Sequence, residues 1–327
     1  MELVLNTYGA KIGVENNAFV ITNATGKQRI PCDGIEAIVV ARSTVLTSDA
    51  LLLAVDNDIP VRVVDRSGNV AGCVWSYKYG SVSTIRKGQL AFSSSKGAVG
   101  WIKEVVVKKM QNQMALLLML QTDSSDRRAV VDASVSKIGR LVSKVESLDG
   151  NTVRDIAAEL RAYEGNASKE YFRQLNSFIP ERYRFDERTQ HPARDIANAM
   201  LNYGYGILYG KVENALVRAG IDPYIGILHR DEHGRPALSF DIIELYRVWV
   251  DYVVFSLLAQ GIVTGEYYSV DNAGAVWLEG LGRRVVIQSL NDYLSECESQ
   301  KGVRRSRETH IFMFVQRLAQ LFKHTKN

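Results

Sequence analysis

The sequence predicts an α+β protein in which a small N-terminal β domain, residues 1–85, precedes a larger all-α domain, residues 101–327. Two observations predict this arrangement. Before residue 85 the apolar residues stand in short β-branched runs separated by Gly, Asn and Asp, which is typical of strands. After residue 100 they recur at helical spacing. At 327 residues the chain also exceeds the usual size of a single hydrophobic core, which favours two domains.

The β domain is predicted from four apolar runs that we expect to form strands. Residues 65–69 (Asp-Arg-Ser-Gly-Asn) predict a turn before the chain continues. One short helix interrupts the strands, because Ser48 or Asp49 can cap Ala50–Val55 and Pro60 follows. The four runs are Leu3–Leu5, Phe19–Ile21, Ile35–Val40 and Val61–Val64.

Residues 86–100 are predicted to link the two domains, because the stretch from Phe92 to Gly100 is mostly small and polar. Five stretches beyond it carry apolar residues at helical spacing, and the chain has only six prolines to interrupt them. These stretches are Trp101–Gln121, Thr152–Ile179, Ile196–Ala219, Phe240–Gln260 and Ile311–Lys323.

The composition excludes several classes of protein. With 46% hydrophobic and 23% charged residues, the chain is neither fibrous nor disordered. Cys32, Cys73 and Cys297 are odd in number and lie far apart, which argues against a disulfide framework or a zinc ribbon. We see no signal peptide, and no apolar stretch reaches the ~20 residues of a membrane helix. We therefore expect a cytoplasmic protein without a membrane partner.

The positive charge is concentrated near the C-terminus. The formal net charge is only +4, yet residues 301–327 hold seven Lys or Arg and one acid. Such local density suits contacts with phosphates, which position DNA without reading its bases. An ordinary solvated helix surface would account for the same residues. The arginines that we assign to DNA are Arg304, Arg305 and Arg307 of this segment and the adjacent pair Arg283 and Arg284.

A histidine and an aspartate flank a predicted turn at residues 234–236. His229 ends one element, and Asp241 stands in the first turn of a helix that Ser239 is placed to cap. The turn could bring the imidazole and the carboxylate to one ion, and Glu244 shares the helix face of Asp241. One nitrogen with carboxylate oxygens suits Mg²⁺ or Mn²⁺. The helix dipole alone also favours an Asp in a first turn, so spacing leaves a structural role open.

Glu164 is the second candidate. It lies inside an apolar helical pattern and is followed by Gly165, Ala167 and Ser168, which form a surface of small residues where a ligand or another helix could approach. A glutamate beside such a surface is either a functional acid or a boundary residue. The residues themselves cannot join Glu164 to His229, which is 65 positions away.

Several ordered blocks of the chain resemble the CRISPR-associated integrase that inserts new spacers into CRISPR arrays. In the β domain they are Ile30-Pro31, Ile35-Glu36-Ala37-Ile38-Val39-Val40, Ser48-Asp49-Ala50-Leu51 and Ile59-Pro60-Val61. In the helical domain they are Glu164-Gly165-Asn166-Ala167 with Tyr171-Phe172, Asn198–Gly206, Ala219–His229 and Leu238–Glu244. Each block alone is a weak signal, but their order along nearly the whole chain is a strong one. Many relatives show Phe-Arg-Pro where this chain has Tyr246-Arg247-Val248, a departure that concerns local helix shape.

The resemblance implies that Glu164, His229 and Asp241 are catalytic residues and ligands of Mg²⁺ or Mn²⁺ in an α-helical catalytic domain. Glu244 and Tyr171 are expected to support these ligands, and Arg235 is expected to contact the DNA backbone. The resemblance also implies a homodimer, a small dimeric CRISPR-associated adaptation partner that bridges two such dimers, and DNA substrates, namely the prespacer and the CRISPR repeat.

The implied reaction is metal-dependent, with a prespacer 3′-hydroxyl attacking a phosphodiester at the edge of a repeat. Three other functions compete with it. A covalent Tyr or Ser recombinase lacks a basic cluster around any tyrosine that would activate it. A catalytically inactive DNA-binding scaffold of the same fold would keep the basic surfaces but not the ligands. A hydrolase of small phosphoesters would have no use for the basic C-terminus.

Overall fold

The computed structural model describes residues 2–24, 26–35, 37–64, 70–74, 82–120, 125–190, 192–229, 236–300 and 302–325. The chain divides into two compact units, Met1–Ser81 and Val82–Asn327, here called the N-terminal unit and the helical unit. The first is rich in strands and the second is mostly helical. The predicted fold class is therefore confirmed. The predicted turn at 65–69 lies outside the described residues.

The described residues of the N-terminal unit form two four-stranded sheets. In the first, of order β1-β5-β7-β8, the strands β1, β5 and β7 are parallel and β8 is antiparallel to β7. The second has the order β4-β3-β2-β6. The strands are β1 (Glu2–Leu5), β2 (Lys11–Glu15), β3 (Ala18–Asn23), β4 (Gly26–Pro31), β5 (Ala37–Val40), β6 (Val45–Leu46), β7 (Val61–Val64) and β8 (Val70–Val74). Apolar side chains of both sheets, such as Phe19 and Ile38, form one core.

Helix α1 (Ser48–Asp56), in the N-terminal unit, starts earlier than the sequence predicts. Its N-cap is Thr47, whose hydroxyl accepts a hydrogen bond of 3.2 Å from the Ala50 amide. The expected cap, Ser48 or Asp49, is therefore wrong by one or two positions. Thr, Ser and Asp all satisfy the first amides of a helix, so three consecutive candidates leave the start ambiguous.

The helical unit contains nine α-helices within the residues that the structure describes. They are α2 (Val82–Ser93), α3 (Lys96–Met119), α4 (Ser125–Ser147), α5 (Val153–Leu175), α6 (Ile196–Arg218), α7 (Ala237–Ile243), α8 (Arg247–Ala259), α9 (Gly280–Ser295) and α10 (Arg307–His324). Two short hairpins accompany them, made of β9 (Tyr268–Val270) with β10 (Val276–Leu278) and of β11 (Cys297–Gln300) with β12 (Val303–Ser306).

The predicted linker at 86–100 is wrong, because these residues belong to α2 and α3. Helix α2 packs against α10 so closely that a Cβ at Gly88 would lie 1.8 Å from the carbonyl oxygen of Phe322. Ser95 then caps α3 by accepting a hydrogen bond from the Ala98 amide. The small and polar residues that make this segment look like a linker in sequence thus allow close helix packing and cap a helix.

Several further elements differ from the sequence prediction, among them α4 and the stretch 240–260. Helix α4 is not predicted, because its exposed face is strongly polar. The stretch 240–260 forms two helices, since the chain turns at residues 244–246 between α7 and α8. Ser239 does not cap a helix, because α7 begins at Ala237 and encloses it.

Helices α3, α5, α6 and α8 place the site residues around one apolar core. Helix α3 packs against α5, α7 and α8, while α6 packs against α7 and α8. Fully buried side chains such as Met110, Leu160, Leu208 and Val254 fill the space between them. In the described part of the chain, no helix combines the length and the apolarity required to cross a bilayer.

Candidate metal centre

The loop that carries His229 connects α6 to α7 and is fixed at both ends. Gly220 ends α6 with a φ of +75°, a left-handed conformation that glycine adopts without strain. The side chain of Gln89, on α2, donates to the carbonyl oxygens of Asp222 (2.7 Å) and Ile225 (3.1 Å) and accepts from the Asp222 amide (3.0 Å). The approach to His229 is therefore set by a buried amide on another helix.

Close backbone contact fixes the next step of the loop at Gly226. A Cβ at this position would lie 2.5 Å from the carbonyl oxygen of His229 and 2.6 Å from Cβ of Ala237. Such distances are far below van der Waals contact, so only glycine fits. The loop residues 226–229 consequently fold tightly over the start of α7.

Asp241 holds the His229 loop through four hydrogen bonds. One carboxylate oxygen, Oδ2, accepts from the amides of Ile227 (2.7 Å) and Leu228 (3.1 Å). The other, Oδ1, accepts from the His229 amide at 3.1 Å and lies 2.7 Å from Nδ1 of the same residue. The Asp241 side chain is fully buried, whereas 42% of the His229 side chain is exposed. Asp241 thus anchors the loop and orients the imidazole.

This arrangement suits a metal-binding histidine. If Nδ1 carries the proton and donates it to Asp241, Nε2 is left with a free lone pair. Histidines that bind metals commonly donate their other ring proton to a carboxylate, which fixes the tautomer and the ring orientation. His229 can therefore present Nε2 to an ion, with Asp241 behind it.

Helix α5 is joined to the same loop by Arg161. Its guanidinium donates a hydrogen bond of 2.6 Å from Nη2 to the carbonyl oxygen of Leu228, the residue before His229. Glu164 stands three positions after Arg161, on the same face of α5. The helix that carries the candidate glutamate is therefore held against the loop that carries the candidate histidine.

The carboxylate of Glu164 contacts two other side chains. Its Oε1 accepts from the Ser168 hydroxyl at 2.8 Å, one turn further along α5. The same oxygen forms an ion pair with Nζ of Lys109, on α3. About a quarter of the Glu164 side chain (27%) remains exposed, so the carboxylate is accessible from outside the core.

Lys109 also contacts Glu244, which follows the last residue of α7. Its Nζ forms an ion pair with Oε2 of Glu244, while Arg247 lies 3.0 Å from Oε1 of the same carboxylate. Burial would raise the pKa of Glu244, but Arg247 and Lys109 outweigh it and lower the pKa. Burial would likewise lower the pKa of Lys109, but the carboxylates of Glu244 and Glu164 raise it. Lys109 and Glu244 are therefore both charged near neutral pH.

The structure thus joins two pairs of candidate residues, His229 with Asp241 and, through Lys109, Glu164 with Glu244. As arranged, no group of three or more His, Cys, Asp and Glu side chains within the described residues stands ready to enclose an ion. The donor set itself, one imidazole with several carboxylates, is one that Mg²⁺ or Mn²⁺ accepts. The buried Oε2 of Glu244 is held by the Lys109 ammonium, so this acid could reach an ion only if that contact opened.

Tyr171 makes no contact with these ligands among the interactions of the described residues; it supports a different acid. Its hydroxyl donates at 2.8 Å to Asp251, and the hydroxyl of Tyr205 donates to the other oxygen of that carboxylate. Burial raises the pKa of Asp251 to about 6, although both hydrogen bonds lower it. Arg247 lies over the ring of Tyr205 and also pairs with Glu244. Arg247 therefore connects Tyr205, which binds Asp251, with Glu244 at the candidate metal site.

The arginines assigned to DNA differ in their surroundings. Arg283, Arg284, Arg304 and Arg305 are exposed, as phosphate contacts must be. Arg307 is not, because its guanidinium donates to Tyr293 O at 2.7 Å, pairs with Glu296 and Glu298 and lies over the Tyr293 ring. Arg235 lies outside the described residues.

Sequence reasoning missed Lys109, Arg161 and Arg247. Lys109 left a signal, because it stands at a core position of α3 between the buried residues Val105, Val106 and Gln113. A charged residue on the apolar face of a helix requires a partner. Arg161 and Arg247 left no comparable signal, since their partners come from distant parts of the chain.

Comparison with known proteins places this chain in a family. The family model described as "CRISPR associated protein Cas1" matches residues 3–292. A curated relative, "CRISPR-associated endonuclease Cas1 1" of Archaeoglobus fulgidus, is 31% identical over 315 residues, which cover 92% of this chain and 90% of the relative.

Solved structures show the same fold. A chain of a "Cas6-RT-Cas1--Cas2 complex" superposes with a TM-score of 0.78 at 24% identity, over 98% of this chain but only 35% of that longer chain. A "Casposase bound to integration product" superposes with a TM-score of 0.69 at 21% identity, over 99% of this chain and 96% of the other. The family match and the curated relative each span most of the sequence, and the chain belongs to the Cas1 family of CRISPR-associated proteins.

Proposed function

We propose that this protein is a divalent-metal-dependent DNA integrase and endonuclease that inserts new spacers into a CRISPR array. The observation that carries the proposal is the convergence of α5, the His229 loop and α7, which gathers an imidazole and several acids in a Cas1-family chain. The endonuclease name of the Archaeoglobus relative and the integration product of the casposase support it.

We assign Glu164 and His229 as residues that hold Mg²⁺ or Mn²⁺, and Asp241, which the resemblance implies as a third ligand, as the buried acid that orients His229. A bound divalent ion would stabilise the charge on the phosphoryl oxygens and lower the pKa of the attacking hydroxyl. Asp241 keeps the His229 ring in position, with Nε2 directed away from the carboxylate. Glu164, partly exposed on α5, supplies a negative charge that solvent and substrate can reach.

The proposed reaction is a transesterification. The 3′-hydroxyl oxygen of a prespacer strand forms a bond to a phosphorus atom at the edge of a repeat, and the P–O bond to the neighbouring nucleotide breaks. One phosphoester replaces another, so the reaction needs no nucleotide cofactor and no protein nucleophile. With water in place of the 3′-hydroxyl, the same residues would cleave DNA as an endonuclease.

The proposal includes partners. The exposed Arg283, Arg284, Arg304 and Arg305 would contact DNA phosphates, and Arg235 would contact the backbone near the site. A homodimer would pair two active sites for the two strands of a prespacer. A small dimeric adaptation partner, of the kind named Cas2 in the superposed complex, would bridge two dimers. The reaction would take place in the cytoplasm.

Strand transfer into a supercoiled plasmid that carries an array tests the proposal. A short duplex with free 3′ ends, the protein and the small partner are incubated with Mg²⁺, Mn²⁺ or chelator, and the nicked products are mapped. Glu164→Ala, His229→Ala and Asp241→Ala should each abolish transfer. Glu159→Ala, an exposed acid on the same helix as Glu164, should not. Undiminished transfer in chelator, or by a ligand variant, would refute the assignment.

A catalytically inactive DNA-binding scaffold is the second candidate. One observation favours it, because Lys109 occupies the space between Glu164 and Glu244 in the manner of a structural ion pair. A scaffold would bind the duplex with the same affinity in chelator and in Mn²⁺, and it would give no nicked plasmid with either metal. Metal-dependent products mapped to the repeat edge would exclude it.

A further inference from the structure

Lys109 is a buried cation shared by two acids of the candidate metal centre. Only 8% of its side chain is exposed, and its ammonium contacts the carboxylates of Glu164 and Glu244. One acid lies on α5 and the other directly after α7, and Lys109 of α3 lies between them. Neighbouring residues of α3 contact the same two segments, since Gln113 donates to the Ser168 hydroxyl of α5 and Asn112 donates to the Leu245 carbonyl after α7.

This position requires a reason, since burying an ammonium is costly unless it is paired. A purely structural pair would need one carboxylate. Glu244 already has Arg247 as a partner, so Lys109 is not needed to neutralise it alone. Glu164, by contrast, has Lys109 as its cationic contact among the described residues. Glu164 and Glu244 carry two negative charges and Arg247 carries one positive charge, so the Lys109 ammonium supplies the second positive charge.

We infer that Lys109 is the built-in counter-cation of the metal centre, holding Glu164 while no divalent ion is bound and releasing it when the ion enters. This inference rests on the proposed function, because it assumes that Glu164 binds the ion. Lys109 is a positioning residue in this scheme. It touches neither the substrate nor the reacting atoms.

Competition follows from the geometry. Oε1 of Glu164 contacts the ammonium directly, and one carboxylate oxygen cannot keep that contact while it coordinates a divalent ion in the same direction. Part of the ion's binding free energy must therefore be used to separate Glu164 from Lys109. Glu244 and Arg247 retain the ammonium in a charged environment after the separation, so Lys109 need not leave the core.

Manganese binding to the full-length protein, measured by electron paramagnetic resonance without DNA, tests the inference. Lys109→Met and Lys109→Gln both remove the charge, and the Gln side chain keeps a donor for Glu164. Each should bind Mn²⁺ more tightly than the wild type by about tenfold, which corresponds to about 1.4 kcal/mol of relieved competition. In chelator each variant should melt at a lower temperature than the wild type. Added Mn²⁺ should raise the melting temperature of each variant by more than it raises that of the wild type.

Lys103 offers a matched control on the same helix. Its ammonium donates to the carbonyl oxygens of Glu146 (2.8 Å) and Leu148 (2.5 Å), away from the acids. Lys103→Met should lower the melting temperature without changing the affinity for Mn²⁺. Unchanged or weaker Mn²⁺ binding by the Lys109 variants would overturn the inference, because a lysine that merely organises the site would give that result.

The wild type provides a second measurement if neither Lys109 variant folds. In protein labelled with ¹⁵N-lysine, the buried ammonium of Lys109 should give a signal protected from exchange, and Mg²⁺ should shift it. A signal unaffected by saturating Mg²⁺ would overturn the inference. If the wild type binds Mn²⁺ and Glu164→Ala does not, Glu164 remains the proposed ligand even when the inference about Lys109 fails. If the wild type binds no Mn²⁺, both the proposed function and the inference fail.

Discussion

Nδ1 of His229 lies 2.7 Å from Oδ1 of Asp241, and the same carboxylate accepts three backbone amides from residues 227–229. Asp241 therefore stabilises the conformation of the loop that carries His229. In Asp241→Asn an amide group would face at least one of these donors. We expect the variant to lose about 1–3 kcal/mol of unfolding free energy, the cost of a buried donor without a partner.

The comparison with His229→Ala makes this prediction specific. That substitution removes one of the four hydrogen bonds and leaves the amides paired, so it should destabilise less than Asp241→Asn while abolishing strand transfer as completely. Urea unfolding followed by tryptophan fluorescence is suitable, since Trp101, Trp249 and Trp277 all lie in the helical unit. Equal stability of Asp241→Asn and wild type would show that the loop does not depend on this carboxylate.

Much of the helical unit could be predicted from the sequence. Apolar periodicity predicted α3, α5 and α6 to within a few residues, because each buries a stripe of large side chains. The same pattern gave a wrong prediction for the segment 86–100, since Gly88 is small because of helix packing and Ser95 is polar because it caps α3. These reasons appear only when α10 and the first turn of α3 are placed beside them.

The site was predictable in part. Resemblance selected Glu164, His229 and Asp241, and the structure pairs two of them directly. The role of Asp241 in folding the loop could not be predicted, because it depends on four donors converging after the chain has turned. Lys109 could have been found, since a lysine on the apolar face of α3 has to pair with acids somewhere in the core.

Gly226 gives a second prediction. Gly226→Ala would place a methyl group 2.5 Å from the carbonyl oxygen of His229, and both neighbours are backbone or a short side chain that cannot rotate away. We expect a displaced loop, a lower melting temperature and strongly reduced strand transfer. Gly206→Ala is the matched control, because that glycine is exposed on α6 and has no atom near the added Cβ.

The control should change in the opposite direction. Alanine in a helix is more stable than glycine by about 0.5–1 kcal/mol, so Gly206→Ala should melt at the wild-type temperature or above it and retain transfer. Differential scanning calorimetry and the plasmid assay on both variants decide the matter. Full activity in Gly226→Ala would mean that the loop can move without loss.

Asp251 predicts a pH dependence of stability. Burial raises its pKa from 3.8 to about 6 in the folded protein. Between these values the folded state binds more protons than the unfolded state, so the contribution of Asp251 to stability falls as the pH rises and levels off above the folded pKa. The full change is up to about 3 kcal/mol, at about 1.4 kcal/mol for each unit of pKa.

Asp251→Asn should remove this component while still accepting a hydrogen bond from Tyr171 or Tyr205. The difference in unfolding free energy between the wild type and the variant should therefore shrink from pH 4 to pH 7 and stay constant from pH 7 to pH 8. Chemical unfolding at a series of pH values measures it. A difference that is constant from pH 4 to pH 8 would show that Asp251 titrates normally.

The C-terminal hairpin separates arginines that reach solvent from one that does not. Arg304 and Arg305 are exposed on β12, opposite Ser299 and Glu298 of β11, whereas Arg307 is engaged by Tyr293 and two glutamates. If this hairpin contacts DNA, Arg304→Ala and Arg305→Ala should each flatten the dependence of log affinity on log salt by about one unit. Arg307→Ala should lower the melting temperature and leave that slope unchanged. Fluorescence anisotropy of a labelled duplex at several KCl concentrations gives the slopes. A slope altered in Arg307→Ala but not in the other two variants would reverse this division, and it would place the phosphate contact on the buried side of the hairpin.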